Sequence, residues 1–289
     1  MTLIIILLGL LVEHFVGVTE KARRLDWIIN YQLWLENRLA MYPFWGGPVG
    51  LIITVALPLC LLLVVDYLLI KLFWPLELFF AFIVFIYSLG PRYLNPELDS
   101  YIEAIEAENN ETADSIAMDI IGPTYDEHPG EQAVIENILL QANDRLFAVL
   151  FWFLILGPFG ALLYRFVSVI RDRFADIHGG YADTARDLFN ILNWPAARLL
   201  AVGNALAGNL VEAIDAWFEN ETGSLENNEV IIKASGLGAL QYNPDYEPAE
   251  ATTPEDNSYW IRATQGLLNR TLIIWLIVLG IMTIAGKLG

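Results

Sequence analysis

Glu136 and Asp144 stand eight residues apart, so on one continuous helix they fall near the same face, about two turns from each other. Arg165 and Arg198 follow downstream, each at or near the edge of an apolar run. Charges in such places pair, reach water or hold a ligand, because a lone charge in hydrocarbon is expensive. Pairing into an ion-pair cluster is the preferred reading. His14, next to Glu13 near the end of the first apolar run, is a further candidate. A side chain that titrates near neutrality at a helix end can shuttle protons or contact a ligand, and its structural alternative is a satisfied interhelical histidine. No Walker loop, GxGxxG, HExxH, GxSxG or metal-spaced histidine cluster accompanies these residues, so no catalytic residue is assigned.

The elements that must position these side chains are membrane helices. Hydrophobic residues make up 56% of the 289 positions and charged residues only 17%, and the apolar residues gather into blocks long enough for a hydrocarbon core of about 30 Å. A net charge of −18, from 34 acidic and 16 basic residues, excludes a nucleic-acid partner, since phosphate binding needs clustered Lys and Arg. The single cysteine, Cys60, excludes disulfides and thiolate metal sites and reads as a small buried apolar residue.

Residues 2–18 form the first block, without a basic n-region or cleavage site, and read as a retained helix. Residues 19–45 carry Leu25, Ile28, Ile29, Leu33 and Leu39 near one stripe and read as a helix in the membrane interface. Blocks at 48–72 and 76–89 are joined at Trp74-Pro75, a tight hairpin, with Asp66 expected to face protein, water or Lys71. Residues 91–145 are an acidic extramembrane segment of two helices broken at Gly122-Pro123 and His128-Pro129-Gly130. The fourth block, 146–170, holds Gly157-Pro158-Phe159-Gly160 at its middle, a kink. Residues 171–270 hold amphipathic or re-entrant helices, one starting at Asn193-Trp194-Pro195, and a mobile acidic connection at 219–258 in which 230–240 forms a short helix. The last block runs from 271 to 288. Trp45, Trp74 and Trp260 are expected at the interface. Lys21, Arg23, Arg24 and Arg38 on one side of this five-helix plan oppose Arg171, Arg173, Arg262 and Arg270 on the other, so the positive-inside rule picks neither face.

The stretch from Glu136 through Asp144 to LFWFLILGPFGALLYR at 150–165, followed by NWPAARL at 193–199, resembles the membrane family containing AmpE and the cobalamin-biosynthetic CobD/CbiB proteins. The overall plan is similar to AmpE, with its short start, acidic middle and terminal helix. In the CobD/CbiB branch a membrane synthase joins an amino-alcohol phosphate to a corrinoid acid with ATP, and its pattern includes ExxAENxxD. Glu136 and Asp144 match the outer acids, while Leu140 and Gln141 replace the inner Glu-Asn pair. The Asn-Thr-Leu-Asp-Ser after the Tyr-Arg becomes Ser168, Val169, Ile170, Arg171 and Asp172, and an Asp-Asp becomes Phe189-Asn190. The early Gly-Asp-Pro and His-Pro-Val are absent from EHFVGVTEKARR. These departures point away from corrinoid ligation.

The expectation is therefore a single all-α membrane domain over residues 1–289, with about five transmembrane helices plus interfacial helices, multi-pass in the bacterial inner membrane. The resemblance to AmpE implies a regulatory or sensory role in β-lactamase induction and cell-wall recycling signalling. It implies a polar small molecule, a lipid or a peptidoglycan fragment bound among Glu136, Asp144, Tyr164, Arg165, Asn193, Arg198 and His14. The bilayer is the expected partner, with a protein partner or second copy beside it, and no cofactor is assigned. The alternative is an amide-forming synthase like CobD/CbiB, in which Glu136 and Asp144 hold Mg²⁺ and the arginines orient the phosphates of ATP.

Overall fold

Apolar runs in lipid become helices because every backbone N–H and C=O must be satisfied within the chain. The computed structural model describes residues 2–16, 25–90, 95–121, 130–175, 177–243 and 258–286, except the side chains of His14, Val16, Trp74, Asn95 and Pro96. Among the described residues there are twelve α-helices and no strand. Three stretches are long and apolar enough to cross a membrane, Pro48–Leu72, Glu131–Arg173 and Tyr259–Ile284, with Thr2–Glu13 and Pro75–Ser88 as shorter apolar helices. The protein is an all-α membrane protein, as its hydropathy predicts.

The chain forms two compact units. The first comprises Met1–Pro91, Asp144–Ala196 and Met282–Gly289. In it, α1 (Thr2–Val16) packs on α4 (Trp74–Ser88), and α2 (Asp26–Leu39), α3 (Pro48–Leu72) and α4 pack on α8 (Ala148–Arg173). Helix α2 buries Ile28, Gln32 and Leu35 and leaves Leu33 exposed, so its inner face is rotated from the expected stripe and includes a polar residue. Only Phe73 separates α3 from α4, the tight hairpin foreseen at that point. Asp66 does not pair with Lys71: its Oδ1 is buried without a hydrogen-bond partner among the described residues, and the Lys71 ammonium lies 4.6 Å from the Tyr67 ring centroid. Cys60 is exposed on α3, among other exposed apolar side chains, where a buried position was expected. Trp45 is buried against Tyr181, with ring centroids 5.9 Å apart, instead of lying at the interface.

The break in α8 is far sharper than a kink. Gly157 takes φ 63° and ψ −149°, a conformation that L side chains avoid, and Pro158 removes the next donor. Beyond it the chain turns back: a Cβ on Gly160 would run into the Trp152 carbonyl, although eight residues of straight helix span about 12 Å. Twenty residues of straight helix would carry Tyr164 about 30 Å from Asp144, yet the Tyr164 hydroxyl lies 3.2 Å from Asp144 Oδ1. Helix α8 is thus two antiparallel arms joined at Gly157.

The second unit comprises Arg92–Asn143 and Ala197–Ile281. Its acidic segment contains α5 (Asn95–Glu106), α6 (Asn110–Ile121) and α7 (Glu131–Ala142), one helix more than expected. The extra boundary lies at Glu108, in the left-handed region at φ 54°, followed by Asn109, whose Oδ1 accepts from Thr112 N at 3.2 Å. The breaks predicted at Gly122-Pro123 and His128-Pro129 lie outside the described residues, as does most of the connection, 244–257. Helix α9 (Gly180–Ala207) holds Pro195 in its interior and does not start there, because the amphipathic stretch ahead of it is already helical. Helices α10 (Leu210–Asn220) and α11 (Asn228–Leu240) pack closely, and α12 (Tyr259–Ile284) starts twelve residues before the apolar block did. Its first turns bury Ile261, Thr264, Leu267 and Leu268 while Arg262 and Arg270 lower the local hydropathy.

Candidate functional site

Between α7 and α8 the chain makes a π-helical segment, Asn143–Phe147. Such segments open the regular ladder by one residue per turn and recur at functional sites. This one carries Asp144 to the base of the α8 hairpin, where the returning arm brings Tyr164, Arg165, Arg171 and Asp172. Tyr164 and Arg171 are seven residues apart and so share a helix face, as do Arg165 and Asp172.

Arg171 is the hub. Its Nη2 donates to Asp144 Oδ2 at 2.8 Å, its Nε lies 2.9 Å from Asp172 Oδ1, and its guanidinium carbon sits 3.9 Å from the Phe189 ring centroid. The ring face attracts the cation while the carboxylates hold its edges. Tyr164 is fully buried, with its hydroxyl 3.2 Å from Asp144 Oδ1 and 3.3 Å from Asn193 Oδ1. One phenolic hydrogen serves one acceptor. Turning the Asn193 amide so that its NH₂ faces the phenol satisfies both contacts, with Tyr164 donating to Asp144. Asn193 reaches the cluster from α9 beside Pro195, and Trp152 Nε1 donates to the Leu192 carbonyl at 2.9 Å, fastening the outgoing arm to the same turn.

Arg165 lacks the carboxylate contacts of Arg171 among the described residues, although the Nε of each is buried without a hydrogen-bond partner. The charges of Arg145, Asp172 and Asp144 act on Arg165. A buried donor left unsatisfied costs about 1–3 kcal/mol unless something else accepts from it. The chemistry fits an anion: a planar fork of donors beside carboxylates already neutralised by a second guanidinium.

The remaining predicted residues have partners inside the second unit. Glu136 pairs with Lys233 Nζ at 3.2 Å and accepts from Gln132 Nε2 at 2.8 Å. Arg198 donates through Nη1 to Asn228 Oδ1 at 2.9 Å and through Nη2 to Glu221 Oε1 at 3.1 Å. Glu221 also accepts from Trp217 Nε1 and the Gly223 N–H, and these bonds with the Arg198 charge hold its carboxyl below the usual glutamate range. The structure thus joins Asp144, Tyr164 and Asn193 in one hydrogen-bonded cluster, places Arg165 where the charge of Asp144 acts on it, and ties Glu136 and Arg198 into separate ion pairs. His14 lies outside the described side chains.

Sequence reasoning missed Arg171, Asp172 and Phe189 as members of the cluster. Their signal was present as departures from the synthase pattern, all three falling around Asp144. Among the described residues no group of three or more His, Cys, Asp and Glu side chains is placed to hold a metal ion. With Asp144 neutralised by Arg171 and Glu136 by Lys233, these carboxylates do not fit a protein-held Mg²⁺.

Comparison with known proteins covers most of the chain. The family model described as CobD/Cbib protein matches residues 6–243. A protein named cobalamin biosynthesis protein CobD from Chromobacterium violaceum is 34% identical over 122 residues, 40% of this chain and 38% of the relative. One of the same name from Stutzerimonas stutzeri is 32% identical over 123 residues, 40% of this chain and 39% of the relative. A probable cobalamin biosynthesis protein CobD from Pyrococcus furiosus is 24% identical over 212 residues, 68% of this chain and 73% of the relative. The matched stretch thus spans about two fifths of the first two relatives' own length. No solved structure matches. These names overturn the expected role in β-lactamase induction and cell-wall signalling, since all three relatives are named for cobalamin biosynthesis. The misleading features were the short start and acidic middle, which follow from a membrane plan and carry no chemistry. With the matched region running from α1 through α11 and containing every residue of the Asp144 cluster, the chain belongs to the CobD/Cbib protein family.

Proposed function

We propose that the protein is a multi-pass plasma-membrane protein that acts in cobalamin biosynthesis as an amide-forming synthase, condensing a carboxylic acid with an amino-alcohol phosphate at the expense of ATP. The family match over residues 6–243 carries this reading. The geometry supports an anionic substrate through the unpartnered Nε donor of Arg165, on which the charges of Asp172 and Asp144 act. In such a condensation ATP converts the carboxylate into an acyl phosphate with release of ADP. The amine nitrogen then attacks the acyl carbon, phosphate leaves and the nitrogen gives up a proton. Arg165 would meet phosphate oxygens, and the Asp144–Arg171 pair would hold Tyr164 in place.

The substitutions at the cluster favour a second form of the same reaction, with a different acid or amine. Arg171 and Phe189 stand where the resembled synthases carry Asp, so the cluster is less acidic and the substrate it matches differs in charge.

The experiment is condensation by full-length protein in nanodiscs with Mg-ATP, a corrinoid acid and a panel of amino-alcohol phosphates, read by mass spectrometry. Amide product with stoichiometric ADP is expected, falling on the order of tenfold or more with Arg165→Ala. Folded protein that yields no amide from any pair of substrates would sink the reading.

A further inference from the structure

The two arms of α8 bring their far ends together. From Asp144 to the reversal at Gly157 the chain has thirteen residues, about 20 Å of helix, against a hydrocarbon thickness of about 30 Å. A crossing helix would set its two ends on opposite faces of the membrane. Here Asp144 and Arg171, one at the start of the first arm and one near the end of the second, lie 2.8 Å apart.

Polarity runs along the hairpin in the matching direction. The base carries Asp144, Arg145, Arg171, Asp172 and Arg173. Ile155 and Leu156, at the tip, are 56% and 43% exposed with no polar neighbour in sequence. Aliphatic side chains bared at the turn of a hairpin whose base is charged fit acyl chains above and water below.

The distribution of positive charge along the sequence points the same way. If 146–170 crosses, the 16 Lys and Arg residues divide almost evenly between the two faces, and neither is preferred. If it returns to the face it entered from, and α1, α3, α4 and α12 cross, residues 19–47, 90–145 and 171–270 share one face. Thirteen of the 16 basic residues then lie there, Arg165 sits within the hairpin, and only Lys71 and Lys287 fall opposite. Such an asymmetry marks the cytoplasmic face.

We infer that residues 144–173 enter and leave the bilayer on the cytoplasmic side as a re-entrant hairpin whose Gly157 tip rests among lipid acyl chains. The polar cluster at its base then opens to the cytoplasm, where ATP and phosphorylated substrates are. The hairpin stands on geometry and charge, so its failure would leave the family membership intact.

The test uses full-length protein with Cys60→Ala, reconstituted in sealed vesicles of known orientation, carrying Gln132→Cys, Ala175→Cys or Ile155→Cys. Gln132 and Ala175 are exposed and flank the hairpin. A membrane-impermeant maleimide is expected to label both from the cytoplasmic face and to lose both signals when applied to the opposite face. Ile155→Cys is expected to resist the reagent from either side, and a fluorophore placed there by a lipid-soluble maleimide should be quenched by nitroxide on lipid chains and not by iodide. Labelling of Gln132→Cys and Ala175→Cys from opposite faces would establish a crossing and overturn the inference. So would labelling of both from the outer face, ready labelling of Ile155→Cys from water, or an Ile155 fluorophore shielded from lipid nitroxide and iodide alike, which would mean protein covers the tip.

Discussion

Arg171 donates to Asp144 at 2.8 Å across twenty-seven residues of chain, and this bond closes the α8 hairpin at its charged end. Both side chains are about one-fifth exposed, at 21% and 22%, so the pair is neither a surface bridge nor a fully desolvated one. Removing one partner strands the other charge in a half-dry setting. Arg171→Leu and Asp144→Leu are each expected to lower unfolding stability by about 1–3 kcal/mol, with the double variant losing about 1–2 kcal/mol less than their sum. Unfolding in mixed micelles at rising SDS fraction measures the cycle, and strictly additive losses would show that the contact is not energetically real.

Gly157 is the residue without which the arms cannot reverse. A Cβ at φ 63° and ψ −149° is strained, and Gly157→Ala is expected to cost about 1–3 kcal/mol, seen as a lower melting temperature. Pro158→Ala, which adds a donor and no strain, should shift the melt far less. Equal melts for the two variants would contradict the reversal.

At the other end of the chain order, Glu106 of α5 accepts from Ser258 Oγ at 2.6 Å and from Arg262 Nη2 at 2.6 Å. The Ser258 hydrogen bond and then the Arg262 guanidinium hold its carboxyl below the ordinary value of 4.5. A depressed folded value means that the stabilisation is complete above 4.5 and disappears as pH falls through the lower folded value. Stability should therefore drop in acid below pH 4.5, and Glu106→Gln should flatten that limb while lowering stability at pH 7 to 9, where the carboxylate's contribution is whole. An unaltered acid limb in Glu106→Gln would remove this carboxylate from the account.

The alkaline limb belongs to phenols. Burial, reinforced by Glu131 and Asp114, pushes Tyr101 up to about 12, and burial with Glu36 pushes Tyr181 up to about 12. Folding favours the neutral phenols, so their contribution is whole below the ordinary 10.0 and is lost as pH climbs toward 12. Tyr181→Phe and Tyr101→Phe should each reduce the loss of stability between pH 10 and 12. A wild-type minus Tyr101→Phe or Tyr181→Phe difference spectrum that shows the missing phenol ionising near pH 10 at full native signal would contradict the burial of these rings.

The membrane helices were legible because hydropathy reports a solvent preference that does not depend on partners. Where polar residues interrupt it, as Arg262 and Arg270 do in α12, the helix extended twelve residues beyond the apolar block. Gly157-Pro158 announced a break but carried no angle, since the direction of the returning arm is set by how Trp152 and Gly160 meet. Asp144, Tyr164 and Asn193 were recognisable as family positions. Arg171 was read as a flanking charge because its partner lies twenty-seven residues upstream and spacing along a straight helix cannot bring them together. Glu136 and Arg198 were taken for cluster members for the same reason: charge and boundary position say that a residue must pair, and Lys233 and Glu221 supply the partners from elsewhere in the chain.

Arg165 and Arg198 separate the two uses of a boundary arginine. Arg198 is 14% exposed and engaged by Glu221 and Asn228, so Arg198→Ala leaves buried acceptors unmet and is expected to cost about 1–3 kcal/mol of stability. Its effect on nucleotide or phosphate-ester binding to the surviving folded protein should be small. Arg165 has a buried Nε that no described residue accepts from. Arg165→Ala should cost little stability, or even raise it by removing an unsatisfied donor, while weakening phosphate-ester binding by about tenfold or more. Thermal unfolding and equilibrium titration with an amino-alcohol phosphate, run on both variants, give the four numbers needed. If Arg165→Ala lowers stability as much as Arg198→Ala and leaves binding unchanged, Arg165 is structural and the Asp144 cluster loses its claim to an anionic substrate.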